Sequence, residues 1–289
     1  MGDTHGDYSS TLEMLRAMGF VNENGAWSAG KTDLVVLGDM VGKGKNSFQN
    51  LQYLLSLQRS AARRGGRVHL MPGNHEWKLL LENYSSLTDK DIRRFEKFYD
   101  GENIFSADHS AGKWLANAPV ALIIDDSLFL HGGVNRKWLN TDLTEINTNF
   151  KNWVRYFQGV GEEPSGDTEW IVSHEGPLYN RELIHGDIKD KHVRKIAEHY
   201  GVARIVVGHT PTKDGEVSYF DMGGIEVVQG DTGASRVLSK GALRIIEIKG
   251  GQSSDWEIAD VKGELPLMKR VSSALSCSYA KLTDHGKRE

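Results

Sequence analysis

Five short glycine turns carry oxygen and imidazole donors: Gly2-Asp3-Thr4-His5-Gly6-Asp7, Gly38-Asp39-Met40-Val41-Gly42-Lys43-Gly44, Gly73-Asn74-His75-Glu76, His131-Gly132-Gly133 and Gly208-His209-Thr210-Pro211. The four internal turns follow apolar runs, and the first stands at the start of the chain. Together they offer Asp3, Asp39, Asn74, His5, His131 and His209 as candidate metal ligands, with His75 to spare. Carboxylate, amide and imidazole donors without a thiolate suit manganese, iron or zinc, with manganese favoured here. A carboxylate has two oxygens and can bridge two ions. Two ions about 3.5–4 Å apart would clamp a phosphoryl oxygen and generate hydroxide at neutral pH. Any one of these residues alone would be read as a loop cap; the joint pattern points to a dinuclear hydrolytic site.

The elements around these turns must hold them in place. Leu34-Val35-Val36-Leu37 and Val68-His69-Leu70-Met71 read as short buried strands. Ser10-Thr11-Leu12-Glu13 fits a capping box opening a helix that Gly19 ends. Asn46 or Ser47 caps a second helix, which closes on Arg63-Arg64-Gly65-Gly66. A helix-rich insertion follows residue 79. Residues 121–130 then read as a hairpin and 143–158 as a helix, and Val193 to Tyr200 mark another helix before Gly201. Strands are expected at 205–207, 225–228, 243–248 and 256–261. A βαβ-like first half and a strand-rich second half predict an α/β protein, a four-layer α/β/β/α sandwich of two mixed sheets flanked by helices. Strand ends followed by glycine loops are where such proteins place functional groups.

The chain has 289 residues, a net charge of −4 and a single cysteine, Cys277. One cysteine excludes an internal disulfide and a cysteine-based zinc site. The charge gives no reason to expect nucleic-acid or membrane binding, and the apolar runs are far shorter than a membrane span. The expected division is one domain over residues 1–265 and a polar tail over 266–289. No signal peptide is visible, so a cytoplasmic location is expected. The chain opens on its first motif with no apolar run before it, so an upstream strand is expected to be missing. An exported form stays compatible with that start.

The five motifs in this order resemble the calcineurin-like metallophosphoesterases, in the phosphoprotein phosphatase pattern GDxHG, GDxVDRG, GNHE, HGG and a late histidine. The resemblance spans residues 2–211. It implies that Asp3, His5 and Asp39 hold one divalent metal and that Asp39, Asn74, His131 and His209 hold the other, Asp39 bridging. It implies that His75 is the general acid and that a metal-bridging hydroxide attacks phosphorus directly. Gly208-His209-Thr210-Pro211 lacks the second histidine of the GHxH ending found in many phosphodiesterases. This favours the phosphoprotein phosphatase branch or the symmetrical dinucleoside tetraphosphatases. Gly176-Pro177-Leu178-Tyr179-Asn180-Arg181 is similar to an element of the bacterial Shewanella-like phosphatases, which implies that Arg181 grips phosphate.

One motif departs from the pattern. Gly42-Lys43 stands where relatives have Asp-Arg. Lys43 keeps the charge for phosphate contact but not the planar fork. Gly42 offers no carboxylate to orient His75, and Glu76 and Asp7 are the candidates to replace it. Asp231-Thr232-Gly233 is a further candidate near the site, with a plain turn as the simpler reading. The expected activity is hydrolysis of phosphomonoesters, with phosphoprotein leading, Ser/Thr or Tyr open. The alternatives are a symmetrical dinucleoside tetraphosphatase and a degenerate phosphatase fold that binds metal or phosphate. The expected partner is a phosphorylated protein or a small phosphoester.

Overall fold

The computed structural model describes residues 1–235, 243–259 and 267–273. The first motif leads directly into α1 (Tyr8–Ala17). Asp7 is its N-cap and accepts from Ser10 N at 3.0 Å, so the helix begins earlier than the Ser10–Glu13 pattern suggests. β1 (Asp33–Val36), α2 (Ser47–Ala62) and β2 (Arg67–Leu70) form a βαβ unit with the two strands parallel. Asn46 caps α2 without a side-chain bond. The buried carboxylate of Asp91 accepts from Ser47 N at 2.9 Å instead. That contact ties the helical insertion, α3 (Asn74–Leu80), α4 (Asp89–Phe98) and α5 (Ser110–Leu115), to the first loops.

β3 (Ala121–Ile124) and β4 (Ser127–Leu130) form the expected hairpin, turning at Asp125 with φ 51°. α6 (Leu143–Phe157), α7 (Glu182–His185) and α8 (Asp190–Tyr200) follow, the last stopped by left-handed Gly201. β5 (Arg204–Val207), β6 (Ser218–Asp221) and β7 (Glu226–Gln229) complete a five-stranded mixed sheet of order β3-β4-β5-β7-β6. β8 (Leu243–Lys249), β9 (Gln252–Ala259) and β10 (Leu267–Ser273) form an antiparallel sheet. β10 falls within the segment read as a polar tail, a strand that reading did not anticipate. Residues 266 and 274–289 of the tail, and 260–261 of the expected 256–261 strand, lie outside the described residues.

Side-chain alternation along the strands builds the layers. Leu34 and Val36 of β1, Leu128 and Leu130 of β4, and Ile205 and Val207 of β5 belong to the large core shared with the helices. Their neighbours Val35, Phe129 and Val206 turn to the opposite face. There they join Leu37, Met71, Val228 and Ile246 in a second apolar cluster. The β1–β2 pair, the five-stranded sheet and β8 of the antiparallel sheet thus meet at that cluster, with helices on the outer faces: α2 packs on β2, and α6 on β3. β1 and β2 run parallel, as do β4, β5 and β7, so the C-terminal ends of each set deliver their loops to one end.

Candidate dinuclear metal centre

Every expected ligand lies at a strand end or in the loop of residues 1–7. β1 runs into Asp39, β2 into Asn74, β4 into His131 and β5 into His209. The turns there are sharp. His5 (φ 47°), Asp39 (φ 49°), Lys43 (φ 55°) and His209 (φ 63°) are four of the seven non-glycine residues with positive φ among the described residues. Such backbone is costly and persists where the surroundings enforce it. Neighbouring glycines make the close approach possible: a β-carbon at Gly73 would overlap the Asp39 backbone N and carboxylate.

Asp39 is central. Its Oδ1 lies 3.4 Å from His131 Nε2, and its Oδ2 lies 3.8 Å from His5 Nδ1 and 3.8 Å from His75 Nε2. Two sets of converging donor atoms share this residue: His5, Asp39 and His75 on one side, and Asp39, His131 and His209 on the other. Asn74 Oδ1 is 3.1 Å from His131 Nε2 and joins the second set. Asp3 lies between them, 4.0 Å from His5 Nε2 and 3.9 Å from His131 Nδ1, and its carboxylate accepts from His209 N at 3.1 Å. His75 stands in the first set alongside the expected general-acid reading; its other ring nitrogen, Nδ1, lies 3.1 Å from Ser86 Oγ.

The N-terminal segment is not loosely held. His5 N donates to Asp39 O at 2.8 Å, Gly6 N to Met40 O at 2.9 Å, and Asn50 Nδ2 to Thr4 Oγ1 at 2.9 Å. Asp3 and Thr4 are fully buried. The first ligands lie next to the start of the chain, yet bonds to the second loop hold them in place.

Two residues proposed to orient His75 do other work. Glu76 is fully buried and accepts the backbone N–H groups of Asp39, Met40, Val41 and Gly73 at 2.8–3.1 Å, bracing the second and third loops together. Asp7 caps α1 and accepts from Ser235 Oγ at 3.2 Å. Asp231, at the end of β7, is buried beside Asp3. The strand-end position was its only signal in the sequence. Ser86 carries no such signal, because it sits in the insertion far from any motif.

The two cations flank the centre. Arg181 Nε donates to His209 Nε2 at 3.1 Å, and Lys43 Nζ lies 3.2 Å from His5 Nε2 with its side chain at the surface. The Gly176–Arg181 element reaches the site because Gly132 N donates to Pro177 O at 2.6 Å.

The electrostatics fit bound cations. Burial, then repulsion from Asp231 and Asp39, raises Asp3 well above the carboxylate range, and burial raises Asp39 to about 7. Burial likewise lowers His5 and His209 to about 2, His75 to about 3 and His131 to about 4. Neutral imidazoles offer lone pairs, and crowded buried carboxylates need positive charge. His131 Nδ1 is held by Leu37 O at 2.8 Å, which leaves Nε2 facing the centre. His5 Nδ1 is buried with no hydrogen-bond partner in the protein, and a metal would satisfy it. The donor set therefore suits a pair of divalent metals.

Similarity to known proteins agrees with this geometry. The chain is 22% identical over 297 residues to Shewanella-like protein phosphatase 2 of Arabidopsis thaliana, covering 86% of this chain and 74% of that protein. It is 26% identical over 178 residues to a symmetrical bis(5'-nucleosyl)-tetraphosphatase of Janthinobacterium, covering 57% of this chain and 56% of that one. The crystal structure of a cold-active protein-tyrosine phosphatase from a psychrophilic Shewanella shares the fold, with a TM-score of 0.75 at 23% identity over 88% of this chain and 75% of that one. No helix among the described residues is long and apolar enough to cross a membrane. The family model for calcineurin-like phosphoesterases matches residues 1–213, the stretch that carries all the strand-end ligands, and the chain belongs to that family.

Proposed function

We propose that this phosphatase hydrolyses phosphomonoesters with two divalent metals, manganese favoured, and that its substrate is a phosphorylated protein. The observation that carries the reading is the Asp39 carboxylate, whose two oxygens each face a different donor set. Asp3, His5 and Asp39 would hold one metal, and Asp39, Asn74, His131 and His209 the other. Two metals there would activate water and neutralise charge on the phosphoryl group.

The chain's own residues supply the rest. Arg181 can fork two guanidinium N–H groups onto phosphoryl oxygens from the His209 side. Lys43 adds a point charge from the His5 side. The Asn74 amide can touch phosphate while it ligates. His75 presents Nε2 to the centre and would protonate the leaving oxygen. A single domain over residues 1–265 would contain all of these groups.

The similarity to a symmetrical tetraphosphatase supports a second reading, cleavage of a dinucleoside tetraphosphate. Both readings are tested on manganese-loaded protein with phosphoserine, phosphothreonine and phosphotyrosine peptides and diadenosine tetraphosphate. Higher kcat/KM on a peptide is expected; higher kcat/KM on the dinucleotide would replace the first reading with the second. Asp39→Asn is expected to lower kcat by about 10³-fold, since metal stabilisation of the transition state is worth several kcal/mol. Equal turnover by Asp39→Asn would end both readings.

A further inference from the structure

His75 needs a partner for the ring nitrogen that faces away from the centre, and the second motif does not provide one. Gly42 occupies the expected carboxylate position with φ 92°, and a β-carbon there would overlap His75 Nδ1. Any side chain at this position would have to displace the ring. The space beside Nδ1 is filled from elsewhere: Ser86 Oγ lies 3.1 Å from it. The backbone of Ser86 is fixed on the same loop, because Lys43 N donates to Ser86 O at 2.6 Å. The opposite nitrogen, Nε2, faces Asp39 at 3.8 Å, and the ring meets His5 edge-on with centroids 4.9 Å apart. Three contacts therefore fix the ring, and only one of them reaches Nδ1.

We propose that Ser86 is the positioning residue for the His75 proton donor, a hydroxyl from the insertion doing the work of the carboxylate that Gly42 cannot carry. This rests on the reading of His75 as general acid. In the substrate complex, where the phosphate dianion favours the charged ring, Nδ1–H donates to Ser86 Oγ and Nε2–H points to the leaving oxygen. As the P–O bond breaks, its electron pair stays on that oxygen, which takes the Nε2 proton. The ring is left neutral with its remaining proton on Nδ1, still held by Ser86. A hydroxyl can accept from Nδ1–H and hold the ring plane while adding no negative charge next to Asp39.

The experiment compares wild type, Ser86→Ala and Ser86→Thr on aryl phosphates whose leaving groups run from basic to acidic. A basic leaving oxygen needs the proton, whereas dinitrophenolate does not. Ser86→Ala is expected to lower kcat about 10–100-fold on phenyl phosphate, the size typical of losing an outer-shell partner. The loss is expected to vanish on dinitrophenyl phosphate and to leave KM unchanged throughout. Ser86→Thr is expected to restore turnover. A loss that is uniform across leaving groups, no loss at all, or a threonine variant as poor as alanine would overturn the proposal. Nitrogen-15 spectra of the histidines in metal-free protein give a readout independent of turnover. A proton on His75 Nδ1 in wild type, redistributed between the nitrogens in Ser86→Ala, supports the proposal. A proton on Nε2 in wild type overturns it. If wild type turned over no phosphate ester, the phosphatase reading would fail, while the spectra would still decide the role of Ser86.

Discussion

The two halves of the candidate metal centre are held by different means. In the Asn74, His131 and His209 half, the side chains themselves are fixed. His131 Nδ1 is pinned by Leu37 O, which leaves Nε2 for a metal, and His209 N is tied to the Asp3 carboxylate, while Arg181 Nε must turn away from His209 Nε2 before that nitrogen can ligate. In the Asp3 and His5 half, the backbone is fixed just as firmly, through bonds to Asp39 O and Met40 O. Yet His5 Nδ1 has no protein partner, and its Nε2 faces the exposed Lys43 ammonium. One half aims an unprotonated ligand nitrogen, His131 Nε2, at the centre, and the other is fixed along its chain but not at His5 Nδ1. A preorganised donor spends less of its binding energy on ordering, so the two halves should differ in affinity although both are buried.

The loop they share provides the largest test. Glu76 accepts four backbone N–H groups from the second and third loops. Glu76→Ala would leave those donors buried and unpaired at about 1–3 kcal/mol each, a sum comparable with the whole stability of a domain. The expected outcome is a protein that unfolds at much lower urea concentration than wild type, or does not fold. A variant of near-wild-type stability would show that the two halves are braced independently.

Removing one donor from each half measures the comparison itself. His131→Ala is expected to weaken manganese binding more than about 100-fold, beyond the usual cost of an outer-shell loss. His5→Ala is expected to cost about 10-fold, because its ring gives up freedom on binding that His131 has already lost. Elemental analysis at graded manganese concentrations should give one metal per chain for His131→Ala where His5→Ala still holds two. The reverse order would mean that the unpartnered His5 nitrogen marks the tighter site.

Proton release distinguishes which groups yield to the metal. Burial holds Asp39 at about 7 in the metal-free centre, and ligation requires the ionised carboxylate. Below pH 7 a metal must displace that proton, so affinity should fall about tenfold per pH unit per proton displaced. Above pH 7 the carboxylate is already ionised and affinity should level off. The four imidazoles lie at about 2 to 4 and are neutral across this range, so they release nothing. Calorimetry in buffers of different ionisation enthalpy should show the Asp39 share of the release, about one proton at pH 6, fall away by pH 8, with any proton from Asp3, also raised by burial, added to it. Release that persisted at pH 8 would place the displaced proton on some other group.

What the sequence made legible follows strand chemistry. Each internal ligand stands one to three residues past a buried apolar run, so a short apolar run followed by a glycine turn located Asp39, Asn74, His131 and His209 without coordinates. Asp231 has the same placement, between Gly230 and Gly233, but belongs to none of the five motifs, and a plain turn was the simpler reading. Glu76 was visible as an acid, but its direction was not. An acid in the first turn of α3 can look toward His75 or back at the preceding loop, and only packing decides. Ser86 and Asp91 were invisible for a different reason. Both come from the helical insertion: Ser86 reaches His75 and, through its carbonyl, Lys43 N, and Asp91 reaches Ser47 N. Local pattern carries no information about such contacts. The same limit hid how firmly Asp3 and His5 are held, since their bonds are to residues more than thirty positions away.

The smallest effect is expected at Lys43, and it separates two roles for one cation. Lys43 and Arg181 flank the centre from opposite halves, each within 3.2 Å of a candidate ligand. The lysine is exposed and flexible, so its pull on a phosphoryl oxygen is screened by water and should be worth less than about 1 kcal/mol. Lys43→Met is therefore expected to raise KM for a phosphopeptide by about 2–5-fold with kcat almost unchanged, and the effect should shrink in added salt. If the ammonium acts mainly on His5, the result inverts. Removing a cation beside a ligand nitrogen would then tighten manganese binding in that half and leave KM as it was. Steady-state kinetics at saturating manganese, set beside the metal titration of the same variant, shows whether the chain-fixed half is completed by a substrate-binding lysine or weakened by one.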